Sequence, residues 1–85
     1  MTNFQGHCMG KIGDVGTLLL SNDSFMSFQI KGLKTSLVLT IPLHPKNPMI
    51  FHVDASVGER FSFMGSPNEA IERFDEWFEF LIERI

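Results

Sequence analysis

The chain has a single cysteine, no apolar run approaching the eighteen or so residues of a membrane span, and no excess of basic side chains. One cysteine, Cys8, excludes an internal disulfide and suits a reducing compartment. The longest apolar run, Thr17-Leu18-Leu19-Leu20, is the size of a strand, so no transmembrane segment is expected. The first residues, Met1-Thr2-Asn3-Phe4-Gln5-Gly6, carry neither a basic start nor an apolar stretch, so no secretory signal is read and a cytoplasmic location is expected. Seven Lys and Arg against ten Asp and Glu give a net charge of −3, which argues against phosphate-backbone binding and so against nucleic acid as a partner. At 85 residues the chain has room for one domain with a modest core, and not for a deep substrate cavity.

What remains is 44% apolar and patterned. Residues 1–16 hold Gly6, Gly10, Gly13 and Gly16, and this stretch is read as a loose arm or an irregular first strand around Gln5 to Lys11. Thr17 to Ser21 is an apolar strand closed by the turn-forming residues Ser21-Asn22-Asp23-Ser24. Met26, Phe28 and Ile30 then alternate with Ser27, Gln29 and Lys31, and after the Gly32 turn Leu37, Leu39 and Ile41 alternate with Ser36, Val38 and Thr40. The segment Pro42 to Pro48 carries three prolines, each lacking a ladder donor, and is expected to be an exposed loop. Met49, Phe51 and Val53, then Phe61 and Phe63, supply two more antiparallel strands.

The period changes after residue 65. Ser66-Pro67-Asn68-Glu69 is a helix start in which Ser66 caps, Pro67 suits the first turn and Glu69 closes a capping box. Ala70, Ile71, Phe74, Trp77, Phe78, Leu81, Ile82 and Ile85 recur at three and four, giving one broad apolar face. The expected fold is therefore α+β, with an antiparallel β-meander of about five strands over 17–64 packed against one C-terminal amphipathic helix over 66–85.

Placed at about 100° per residue, Glu72, Glu76, Glu79 and Glu83 share one side of that helix. Like charges at i, i+4 cost a few tenths of a kcal/mol per pair, so another pressure has to keep the ridge. From Ser66 onward six acids meet two arginines, whereas the rest of the chain is slightly basic. Phe80 falls away from the apolar face among Arg73, Glu76, Glu83 and Arg84, close to Trp77. An exposed phenylalanine ringed by charge has the apolar centre and polar rim of a protein interface, with a homodimer contact among its uses.

Other motifs read down. Gly10-Lys11-Ile12-Gly13-Asp14-Val15-Gly16 lacks the Gly-Lys-Ser/Thr that opens a helix in a phosphate loop, and it carries an acid where the RNA-binding KH loop would meet phosphate. His7, Cys8, His44, His52 and Asp54 are the residues a catalytic or metal site would draw on. On a strand His7 and Cys8 would point to opposite faces, while His52 and Asp54 would share an outer one. No catalytic set, metal or cofactor is expected from that spacing.

Gly16-Thr17-Leu18-Leu19-Leu20-Ser21, followed by Phe25-Met26-Ser27-Phe28, resembles the strand-turn-strand pattern of pleckstrin-homology-like and GRAM domains over Gly16 to Ile85. That resemblance implies a small bent-sheet barrel plugged by a helix, with members that bind lipid head groups or peptides. A lipid-binding use would draw on Lys11, Lys31, Lys34 and Lys46, against an anionic surface that repels an acidic protein.

The function expected from sequence is a non-enzymatic protein-binding module, an adaptor or inhibitor. Immunity proteins and phage-encoded inhibitors of host defences act in this way. It would meet a basic partner surface through Glu72, Glu76, Glu79, Phe80 and Glu83, flanked by Arg73 and Arg84. A lipid- or peptide-binding module and a small metal- or thiol-dependent enzyme are the alternatives.

Overall fold

The computed structural model describes residues 2–47 and 49–85. Two helices flank five strands among them: α1 (Asn3–Gly13), β1 (Thr17–Ser21), β2 (Phe25–Lys31), β3 (Ser36–Pro42), β4 (Ile50–Ala55), β5 (Arg60–Met64) and α2 (Pro67–Arg84). The strands form one antiparallel sheet in the order β1-β2-β3-β4-β5, which is the expected meander. Each alternating segment becomes a strand because its odd or even residues can all reach one apolar layer. Phe28, Ile30, Leu37, Leu39, Ile41, Val53 and Phe61 do so, with Met26, Phe51 and Phe63 packed at the margin.

The N-terminal stretch is a helix, not an arm or an irregular strand. Its four glycines argue for loose backbone, but two stronger signals prevail. Thr2 caps the helix: its hydroxyl accepts from the Gln5 amide at 3.2 Å, and the Gln5 side chain accepts from the Thr2 amide at 2.9 Å, a complete capping box. Phe4, Cys8 and Ile12 then fall on one stripe at i, i+4, i+8 and are buried against the sheet. Buried Gln5 is satisfied as well, its Nε2 donating to the carbonyls of Pro42 and Leu43. A second helix therefore shares the covering of the sheet that sequence assigned to α2 alone.

Pro42 is also placed differently from the expectation. It is the last residue of β3, opposite Phe25, and the ladder steps past it through the Leu43 amide, which donates to the Ser24 carbonyl at 2.9 Å. The loop begins after it, and Pro48 lies outside the described residues.

The helix α2 starts as read. Ser66 Oγ accepts from the Glu69 amide at 3.2 Å, with Pro67 at the first position. The Glu69 carboxylate takes the Ser66 hydroxyl, so the cap is formed although the reciprocal half of the box is not. At the other end the Ile85 carbonyl accepts from the Lys34 amide at 2.7 Å and lies against Gly32 so closely that a Cβ there would fall 2.2 Å from it. The end of α2 is thereby fastened to the β2–β3 turn, and only glycine leaves room for the contact.

Phe74 is the hub of the interior. It meets Phe4 edge-on at 6.0 Å, Phe61 edge-on at 5.7 Å and Phe78 stacked at 5.6 Å, so one ring joins α1, β5 and α2.

Three substitutions test this arrangement by thermal or urea unfolding. Gly6→Ala and Gly10→Ala add a Cβ that meets nothing within 4 Å, and in a helix interior each raises stability by about 0.5–1 kcal/mol. An arm or strand there would show no such gain. Gly32→Ala lowers stability by about 1–3 kcal/mol, because the Ile85 carbonyl has to move away.

Candidate functional site

The strand β5 is one edge of the sheet: it pairs with β4 from Ile50↔Met64 to Asp54↔Arg60 and leaves its other side open. Beside that open side runs α2. Phe61 and Phe63 project towards the helix, and Trp77 and Phe80 lie next to them, so strand and helix bound a groove lined by four aromatic rings, with Arg60, Ser62, Arg73 and Glu76 at its rim. Phe61 and Trp77 sit 5.8 Å apart, which anchors the half-buried indole to the core. Phe80 is 58% exposed.

This groove gathers part of the sequence-derived set and leaves out the rest. Arg73, Glu76 and Phe80 converge on it. Arg84 stands over the Phe80 ring at 5.1 Å and pairs with Glu59 from the β4–β5 turn, so it holds the ring's far side. Glu79 leans the other way, towards α1, where Lys11 comes within 3.9 Å. Glu72, Glu76 and Glu83 are exposed and enter no ion pair among the described residues. Sequence reasoning missed Phe61, Phe63 and the open strand edge. Alternation marks which face a residue takes, but not which strand ends the sheet.

The residues that a catalytic or metal site would draw on are scattered. His7 and Cys8 lie on a helix, about 100° apart, rather than on opposite faces of a strand. His7 Nε2 lies 2.6 Å from Asp75 Oδ1, and Lys11 reaches the same carboxylate at 3.5 Å, so this cluster clasps α1 to α2. Cys8 is fully buried. Desolvation, with the nearby Asp75 charge adding to it, pushes its thiol far above the ordinary range. His52 and Asp54 are on the outer face as read, with Asp54 bonded to Arg60. His44 and Lys46 stand with His52 and Arg60 around a shallow depression of about 440 Å³ on that face. Lys31 and Lys34 flank the β2–β3 turn, where they line a hollow with Val15 and Glu83. Among the described residues, no three of His, Cys, Asp and Glu are grouped to hold a metal ion. Among the described residues, no helix is long and apolar enough to cross a membrane.

No protein-family model matches the chain, and neither a curated protein nor a solved structure does.

The burial of Cys8 sets a testable reactivity. The native thiol resists iodoacetamide at neutral and mildly alkaline pH, and it reacts at the rate of a free cysteine once urea unfolds the chain. The unfolded thiol ionises near pH 8.5, about where an ordinary cysteine does, while the native one stays protonated. Folding stability is therefore undiminished by this group below that pH and falls as pH rises above it, which unfolding at pH 7 and pH 10 measures. Fast alkylation of the native protein would place Cys8 at the surface instead.

Proposed function

We propose that this protein is a non-enzymatic binding module, an adaptor or inhibitor acting in the cytoplasm, which takes a basic and partly apolar surface of another protein at the β5–α2 groove. One observation carries the reading: Phe80, more than half exposed, continues the aromatic lining of Phe61, Phe63 and Trp77 along an unpaired strand edge. Apolar centres framed by charge are where binding energy concentrates, and an open strand edge offers backbone donors and acceptors to an incoming segment. Glu76 in the groove's lining, and Glu72 and Glu83 elsewhere on the exposed side of α2, enter no ion pair among the described residues; their carboxylates favour basic side chains in the partner, and steer approach more than they add affinity. The reduced, buried Cys8 fits a reducing compartment.

Affinity capture from the source cell followed by titration of the purified partner tests this reading. Phe80→Asp weakens binding by about 2 kcal/mol or more, roughly thirtyfold, and leaves the unfolding midpoint nearly unchanged because the ring is outside the core. The pair Glu76→Lys and Glu83→Lys slows association and flattens its salt dependence. Equal affinity in all three proteins, insensitive to salt, would remove the groove from consideration.

A further inference from the structure

The helices cover one face of the sheet, and the other face carries the hollow of about 440 Å³ beside the loop that follows β3. Its floor is His52 of β4 and, opposite it, Ser62 of β5, with Arg60 two positions earlier on the same face. His44, Lys46 and Asn47 of the loop form its wall. That loop is held at both ends. The Leu43 amide donates to the Ser24 carbonyl at 2.9 Å, and the Pro42 and Leu43 carbonyls accept from Gln5 Nε2. At the far end Asn47 accepts from the Met49 amide through its side chain at 2.9 Å and from the Ile50 amide through its carbonyl at 3.1 Å. Pro45 stiffens the stretch between. The hollow is therefore built by the fold itself.

Its charge runs against that of the chain. The protein is acidic, with a net charge of −3, yet no described carboxylate lines the hollow. Elsewhere cations are spent on carboxylates: His7 and Lys11 on Asp75, Arg84 on Glu59. The side chains of His44, Lys46 and His52 enter no hydrogen bond or ion pair among the described residues. Arg60 gives its Nε to Asp54, which lies outside the lining, and its terminal nitrogens keep their donors. We infer that this hollow binds a small, soluble phosphate monoester, with the phosphoryl group held by Lys46, Arg60, His44 and His52. Cations brought from a loop and two strands to one recess focus their potential on an anion with several oxygens. A phosphate monoester offers three such oxygens and about −1.5 to −2 charges at pH 7, whereas a carboxylate offers two oxygens and one charge. The guanidinium supplies paired donors, the ammonium a point charge, and each imidazole a ring N–H that also carries charge once protonated. The volume is that of a site for a small organic molecule. Pro42, Pro45 and Ile50 give it an apolar side, which continues into an adjoining hollow of about 280 Å³ that reaches Phe51. The organic group of the ester lies there. Arg60 and Ser62 also border the β5–α2 groove, but nothing in this inference rests on the groove's own role.

Titration of the whole protein at low salt with phenyl phosphate, inorganic phosphate and benzoate, followed by backbone-amide and histidine-ring NMR signals, reads the site. Phenyl phosphate saturates with a Kd below about 1 mM and shifts His44, Lys46, His52 and Ser62. Inorganic phosphate moves the same signals about threefold more weakly or less, having no group for the apolar side. Benzoate, with the same ring and a single charge, binds about tenfold more weakly. Lys46→Glu costs about tenfold in phenyl phosphate affinity and leaves the unfolding midpoint in place, because the side chain is exposed. Phe80→Asp binds phenyl phosphate as wild type does, so this site and the partner groove can each fail alone. Phosphatidic acid carries the same phosphoryl chemistry on a membrane, and the protein stays in the supernatant when vesicles of phosphatidylcholine and phosphatidic acid are sedimented. A titration that does not saturate by about 10 mM would overturn the inference, as would one that Lys46→Glu leaves unchanged or in which benzoate matches phenyl phosphate. Sedimentation with those vesicles by a protein that ignores the free ester would overturn it as well.

Discussion

An apolar sheet face has to be covered along its whole width, and five strands at about 4.8 Å spacing make a face about 19 Å across. A helix with its side chains is about 10 Å wide, so α2 covers half of it. The position of α1 answers this shortfall: α2 lies over the β5 side, while α1 lies alongside it over β2 and β3, and the two meet through Phe4 and Phe74. Gln5 locks that position from the polar side, since its amide is buried and has to be satisfied, and the carbonyls of Pro42 and Leu43 satisfy it. Even two helices do not reach β1, whose leucines remain half exposed on both faces.

The strands and α2 were legible because their signals are local and redundant. Alternation in Phe28-Gln29-Ile30 or Leu37-Val38-Leu39 has one reading, and the Ser66-Pro67 start and the three-four spacing of α2 agree with each other. α1 was obscured by competing local terms. Gly6, Gly10 and Gly13 each weaken a helix by up to about 1 kcal/mol against alanine, and that penalty hid a Thr2-Asn3-Phe4-Gln5 capping box and the Phe4, Cys8, Ile12 stripe. Tertiary burial decides the matter, and burial is not a local quantity. The groove was half legible for the same reason. Phe80 could be placed outside the apolar face by its angle on the helix, but Phe61 and Phe63 become its neighbours only because β5 ends the sheet next to α2.

The acidic ridge on α2 is divided by what stands beside it. Asp75 and Glu79 face α1, where His7 and Lys11 meet them, and in that position their charge holds one helix to the other. Glu72, Glu76 and Glu83 receive no such partner among the described residues, and the i, i+4 repulsion between Glu72 and Glu76 is left unrelieved. Arg84 is drawn off by Glu59 and stacks on Phe80 on its way. A helix that from sequence carries one uniform charged face is in the fold two surfaces, one internal and compensated, the other open and negative beside an aromatic groove.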